Sequence, residues 1–228
     1  MAHSIIVGGS TGIGRYLAER HAARGDDVVV TSRDAGRAAA AAAEIGPTVS
    51  GIALDLADPH GIAAAVEPIG TVDSLVVTAI EQGVNTLAGF DIDLAVRSVT
   101  TKLVGYPELV RALLPKMSND ASVVLFGGLA KDRPYPGSTM VTTFNGGVST
   151  LVTTLALEIA PRRVNALHPG VVGDSPKWRD VVDHPHAART PIGRLVTMEE
   201  IADATDFLLA NTGINAQNLC IDGGLLAS

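Results

Sequence analysis

Val7-Gly8-Gly9-Ser10-Thr11-Gly12-Ile13-Gly14 joins a short β-branched run, Ser4 to Gly8, to a segment, Ile13 to Arg24, whose apolar residues recur at helical spacing. Glycines in a strand-to-helix turn permit a tight bend and close backbone approach, and free N–H groups at the helix N-terminus favour an anionic pyrophosphate. The same rhythm continues along the chain. Further candidate strands are Val28 to Ser32, Val49 to Leu54, Ser74 to Thr78, Ser122 to Phe126, Arg163 to Leu167 and Asn218 to Ile221. Between them lie helical patterns: an alanine run from Ala38 to Ala43, two long segments, Leu94 to Met117 and Gly146 to Ala160, and a last one, Met198 to Ala210. Strands alternating with helices predict a parallel sheet covered by helices, and continuously apolar strands predict burial on both faces. The expected fold is α/β, a doubly wound parallel sheet of six or seven strands in a single domain spanning residues 1–228. The loop from Lys131 to Pro136 and the segment from Val171 to Thr197 follow strands, which makes them candidate walls of a ligand site.

Composition narrows the partners. The 228 residues are 46% hydrophobic and 18% charged, enough for one large core and too apolar for disorder. A formal charge of -7 repels phosphate backbones and anionic lipid surfaces, so neither nucleic acid nor a membrane is an expected partner. One cysteine, Cys220, forms no internal disulfide, and no cluster has metal-ligand spacing. A reducing, cytoplasmic setting is expected, with no metal, no signal segment and no stretch approaching the ~20 apolar residues of a spanning helix.

The motifs together resemble the short-chain dehydrogenase/reductase family over essentially the whole chain. Gly8, Gly12 and Gly14 match its cofactor loop, with Val7 where a threonine is usual, and Asp55-Leu56 looks like its adenine-contacting pair. Leu155 to Pro161, Arg163 to Gly170 and Asp222-Gly-Gly224 are similar to its later signatures. The resemblance implies a Rossmann-like domain that binds a nicotinamide dinucleotide through Gly8, Ser10, Thr11, Gly12, Ile13 and Gly14. It also implies contacts from Ser32, Arg33, Asp55, Leu56, Thr78 and Ala79, and from Pro169, Gly170, Val171 and Val172. Where an acidic residue would bind a ribose 2′-hydroxyl, this chain has Ser32-Arg33. A hydroxyl and a guanidinium suit a 2′-phosphate, so NADP(H) is expected over NAD(H); the alternative is a solvated strand-end arginine.

The resemblance fails where the family keeps its catalytic residues. Alignment through Leu155 to Pro161 puts Val141 at the tyrosine position and Asn145 at the lysine position. Val123 to Gly128 matches the strand that ends in the family's serine, placing Gly128 there, and counting back from Leu113 to Met117 places Lys102 at the asparagine position. Lysine and asparagine have thus exchanged places. Lys102 and Asn145 are expected to meet beside the cofactor ribose, with Lys102 partly buried and lowered in pKa; otherwise Lys102 is a solvated helix flank and Asn145 a cap for Gly146-Gly147. Tyr135, Lys131, Tyr106 and His168 are candidate substitute acids, each with a packing role as its alternative. Phe126, Met140, Val141 and Phe144 would make the pocket apolar.

Three functions fit. The first is an NADP(H)-dependent oxidoreductase whose acceptor, an imine or activated alkene rather than a simple ketone, does without the tyrosine acid. The others are a cofactor-binding regulatory protein without redox activity and a lyase or cyclase using the apolar pocket. The expected partners are a small apolar substrate and a second copy of the chain, as a homodimer or homotetramer; Leu151, Val152 and Leu155 belong to the apolar surface that suggests it.

Overall fold

The computed structural model describes residues 2–81 and 83–228. Seven strands form one all-parallel sheet: β1 (His3–Val7), β2 (Asp27–Ser32), β3 (Val49–Ala53), β4 (Val72–Val77), β5 (Met117–Phe126), β6 (Arg163–Pro169) and β7 (Asn218–Ile221). Their order is β3-β2-β1-β4-β5-β6-β7. The helices are α1 (Gly12–Ala23), α2 (Ala35–Ile45), a single turn α3 (Ile62–Ala65), α4 (Ile92–Val99), α5 (Tyr106–Leu113), α6 (Thr139–Glu158) and α7 (Met198–Ala210).

Strand side chains alternate between two cores. Ile5, Leu75 and Val123 face Leu109 and Leu113 of α5 and Val152 of α6. Ile6, Val76 and Val124 face Leu17 of α1 and Ile201 and Leu208 of α7. The central strands read as largely apolar runs, which is why they stand out in the sequence, whereas the edge strands β3 and β7 are less buried and carry Ser50, Gly51 and Asn218. The order reverses between β1 and β4, and the chain leaves the carboxyl ends of these two paired strands toward opposite faces of the sheet, which opens a crevice there.

Two helical expectations are corrected. Leu94 to Met117 is not one helix: α4 gives way to a π-helical turn, Thr100–Gly105, then α5, and Met117 already belongs to β5. Pro107 lacks an N–H and its ring crowds the carbonyl of Leu103, so regular α-helix cannot run through it. Gly105 also packs against the Leu56 carbonyl so closely that a Cβ there would collide with it. The second long helix starts at Thr139, not Gly146, so Asn145 lies inside α6 and caps nothing. Low-propensity Thr139, Val141, Thr142 and Thr143 conceal that first half. A third correction concerns α6 itself, which is 20 residues long with a window of mean hydropathy 1.2 and so is long and apolar enough to cross a bilayer. Here it buries Phe144, Val148, Val152 and Leu155 against the sheet as a core helix.

Candidate active site

The crevice holds a cleft of about 570 Å³. At its floor Gly8 adopts φ +83° and Gly12 φ +57°, left-handed conformations that favour glycine. A Cβ on Gly14 would run into the Gly8 carbonyl and Thr78. Thr78 Oγ1 donates to the Val7 carbonyl at 2.9 Å, tying the end of β4 to the glycine turn.

Helix α1 opens onto this floor with Thr11 as its N-cap, no side-chain cap bond and no acidic residue in its first turn. By contrast α2, α4 and α7 are capped by Asp34, Asp91 and Thr197, while α5 and α6 resemble α1 in having no side-chain cap bond. Helix α1, which opens from the glycine turn, therefore keeps free N–H groups and a positive dipole end for an anion. Ser10, Thr11, Gly12 and Ile13 line the same region, and Ser32, Arg33, Asp55 and Leu56, from the ends of β2 and β3 and beyond, also line the cleft. Arg33 pairs with Glu81 at 2.8 Å, and Arg97 bridges Glu81 and Asp55 at 3.0 and 2.9 Å. Burial pushes the Asp55 carboxyl up, but the Ala57 N–H and Arg97 outweigh it and hold Asp55 below the usual carboxylate range.

At the opposite end Thr78, Ala79, Pro169, Gly170 and Val172 line the cleft, whereas Val171 does not. Neighbouring residues of an extended segment point to opposite sides, and Val172, bridged to Val196, takes the inner one. Sequence reasoning missed Arg37, Glu81, Ser175, Pro176, Lys177 and Trp178, all of which line it. The single tryptophan of the chain, within a loop already picked as a wall, was the available signal; its ring meets His184 edge-on at 4.8 Å.

Lys102 lies at the inner end of the cleft, 2% exposed. The π-helical turn aims it across the sheet end, where Nζ donates to the Phe126 carbonyl at 2.7 Å and to Asn145 Oδ1 at 3.1 Å. Burial, with no carboxylate against it, pushes the Lys102 ammonium down to about 7. The exchanged pair thus meets. Asn145 is not itself among the lining residues; it acts from behind Lys102.

A Cβ on Gly128 would lie 2.9 Å from Asn145 Nδ2. A side chain at position 128 would therefore crowd this asparagine. Val141 and Phe126 give apolar lining; Met140 does not reach the cleft, and Phe144 is buried beneath Lys102.

The substitute acids sort clearly. Tyr135 lines the rim and is 55% exposed. Tyr106 is fully buried, its hydroxyl donating to the Ala79 carbonyl at 2.8 Å, and burial raises its phenol far above the ordinary range, which removes it as an acid. Lys131 is paired with Asp132 outside the cleft. His168 accepts from the Gly128 N–H at 3.1 Å through Nδ1, which leaves Nε2–H to donate to Asn218 Oδ1 at 2.8 Å. Burial pushes it down to about 4, so it is a neutral packing residue, not a proton donor.

A doubly wound sheet with an uncapped helix and a glycine turn at its switch point defines a dinucleotide-binding domain of the Rossmann type. Residues 7–226 match the family described as enoyl-(acyl carrier protein) reductase. The chain is 28% identical over 228 residues to the 3-oxoacyl-[acyl-carrier-protein] reductase of Bos taurus, covering 96% of each. It is 28% identical over 235 residues to that of Escherichia coli (strain K12), covering 97% of this chain and 96% of the relative. A solved short chain dehydrogenase/reductase family protein superimposes with a TM-score of 0.89 at 29% identity, over 100% of this chain and 98% of the other. The chain belongs to the short-chain dehydrogenase/reductase family, an oxidoreductase family that uses NAD(P)(H).

Proposed function

We propose that the protein is an NADP(H)-dependent oxidoreductase whose acceptor brings its own activation, an imine or an activated alkene in preference to a simple ketone. The observation that carries this reading is the Lys102–Asn145 pair at 3.1 Å, standing beside Gly128 and Val141 where a serine and a tyrosine would give a proton. The glycine turn and the α1 N-terminus would hold the pyrophosphate, and Ser32, Arg33 and Arg37 the adenosine 2′-phosphate. When bound, the dinucleotide supplies a hydride. Lys102 donates hydrogen bonds at the reacting end, and Phe126 and Val141 exclude water.

A 3-oxoacyl group, the acceptor named for the bovine and E. coli relatives, is a ketone, and Gly128 and Val141 offer no proton to its oxygen. General acid catalysis contributes about 10²–10⁴-fold, so unactivated ketones are expected to turn over below about 10 s⁻¹, the median for enzymes. Following nicotinamide absorbance across panels of ketones, imines and enones tests this. NADPH oxidation by enones or imines supports the reading; fast ketone turnover, or NADPH binding without oxidation in every panel, overturns it.

Two further expectations follow. The Arg33–Glu81 pair is exposed and contributes about 0–1 kcal/mol, so Arg33 readily exchanges Glu81 for a phosphate. Arg33→Ala is expected to lower NADPH affinity roughly 10–100-fold with NADH affinity little changed, read by calorimetric titration. The second concerns assembly. Val152 and Leu155 are core residues, so the unpartnered apolar surface is instead Ile92, Val96 and Val104 with Leu157, which is 82% exposed. A dimer through this face is expected, and Val96→Asp should shift light scattering from dimer or tetramer toward monomer; a wild-type monomer at micromolar concentration counts against it.

A further inference from the structure

Four lysines occur in the chain, and three have conventional surroundings. Lys116 donates to the carbonyls of Val66, Glu67 and Ile69, Lys131 pairs with Asp132, and Lys177 lies over the Trp178 ring at 4.8 Å. Lys102 differs in its burial. It is buried yet lines the cleft, and among the described residues it has no carboxylate within ion-pair distance. The Phe144 and Tyr106 rings lie 5.3 and 5.7 Å from Nζ. Its two hydrogen-bond partners, the Phe126 carbonyl and Asn145 Oδ1, are both acceptors. A neutral amine has two hydrogens and one lone pair. Two acceptors take the two hydrogens and leave the lone pair free, whereas an ammonium would carry a third hydrogen for which neither acceptor remains.

We propose that Lys102 is a covalent catalyst, whose amine condenses with the carbonyl carbon of an α,β-unsaturated aldehyde held in the cleft. The proposal rests on the reductase reading above and names its substrate class. The lone pair forms the C–N bond, and the carbonyl oxygen leaves as water, carrying one proton from the amine and one from solvent; the product is a protonated iminium. Its positive charge withdraws electrons from the conjugated double bond, so the β-carbon accepts a hydride from a reduced nicotinamide dinucleotide. The alkene electrons neutralise the nitrogen to give an enamine, the α-carbon takes a proton from solvent, and water releases the saturated aldehyde and free Lys102. The sum is one enal, one hydride and one proton giving one saturated aldehyde. The oxygen takes its protons from the amine and from solvent, so this route does not call on a serine or a tyrosine, groups that Gly128 and Val141 do not supply. An amine lowered to about 7 is substantially unprotonated at neutral pH, while exposed lysines near 10.4 are not.

The test needs no dinucleotide. The protein is incubated with cinnamaldehyde and sodium cyanoborohydride from pH 6 to 9, and adducts are mapped by peptide mass spectrometry. The expected result is one dominant adduct on Lys102 whose rate rises with pH and levels off above about 7. Asn145→Asp places a carboxylate on Nζ and raises its pKa by roughly 1–3 units, so labelling at pH 7 is expected to fall about fivefold or more. Labelling confined to the other lysines or the N-terminus overturns the proposal, and so does labelling of Lys102 that Asn145→Asp leaves unchanged. NADPH-dependent enal reduction without a Lys102 adduct overturns the covalent step and leaves the reductase reading standing. A Lys102 adduct with no NADPH-dependent turnover of the same enal overturns the reduction assigned to it.

Discussion

Lys102→Met is expected to lower turnover of an unsaturated aldehyde by about 10²–10⁴-fold while dinucleotide affinity falls only roughly 2–10-fold. The asymmetry follows from where the side chain sits. It lines the inner end of the cleft, away from the glycine turn, Ser32 and Arg33, so most contacts available to a dinucleotide are untouched. Both amine hydrogens are already given to the Phe126 carbonyl and Asn145, so the change removes no direct donor to a dinucleotide, and its effect on binding is the indirect one of freeing those two acceptors, about 0.5–1.5 kcal/mol. It also removes the side chain that the Phe126 carbonyl and Asn145 jointly position at the inner end of the cleft. Stopped-flow turnover and calorimetric binding on the same preparations separate the two effects. Equal losses in affinity and turnover would mean that Lys102 merely helps to bind; no loss in either would remove it from the site.

The sheet was legible because parallel strands covered on both sides must be apolar at consecutive positions, as in Val28 to Val30 and Val123 to Leu125. The glycine turn was legible because Gly8, Gly12 and Gly14 answer to local backbone geometry. The meeting of Lys102 with Asn145 could be inferred from reciprocal substitution at positions 43 apart, but its consequences could not. They depend on the π-helical turn, which Pro107 and the approach of Gly105 to Leu56 create together, and the second of these is a contact between distant segments. The coupling of Gly128 to Asn145 through space, and the choice of Val172 over Val171 as the inward residue, likewise arise only when separate elements pack. His168 looked like chemistry in the sequence. In the fold its ring fills the space beside Gly127 and anchors Gly128, a role set by neighbours from three elements.

The same lysine predicts an unusual dependence of stability on alkaline pH. Its folded pKa of about 7 is below the unfolded value of about 10.4, so between these limits the unfolded chain binds a proton that the folded chain does not. Stability therefore rises with pH across that window, at about 1.4 kcal/mol per unit, is fully present above the unfolded value, and is lost as pH falls toward 7. His168 depends on pH in the same direction at acid pH, losing stability as pH falls from about 6.5 to about 4, and so does not overlap. In Lys102→Met the alkaline window disappears, while any cost of leaving the Phe126 carbonyl and Asn145 without their donor stays the same at every pH. Urea unfolding of both proteins at pH 7.5 and 9.0 is expected to show the wild type gaining about 2 kcal/mol relative to the variant over that interval. Groups common to both chains cancel in the difference. Parallel stabilities across the interval would mean that Lys102 is protonated in the fold, and the free lone pair needed for covalent chemistry would then be absent at neutral pH.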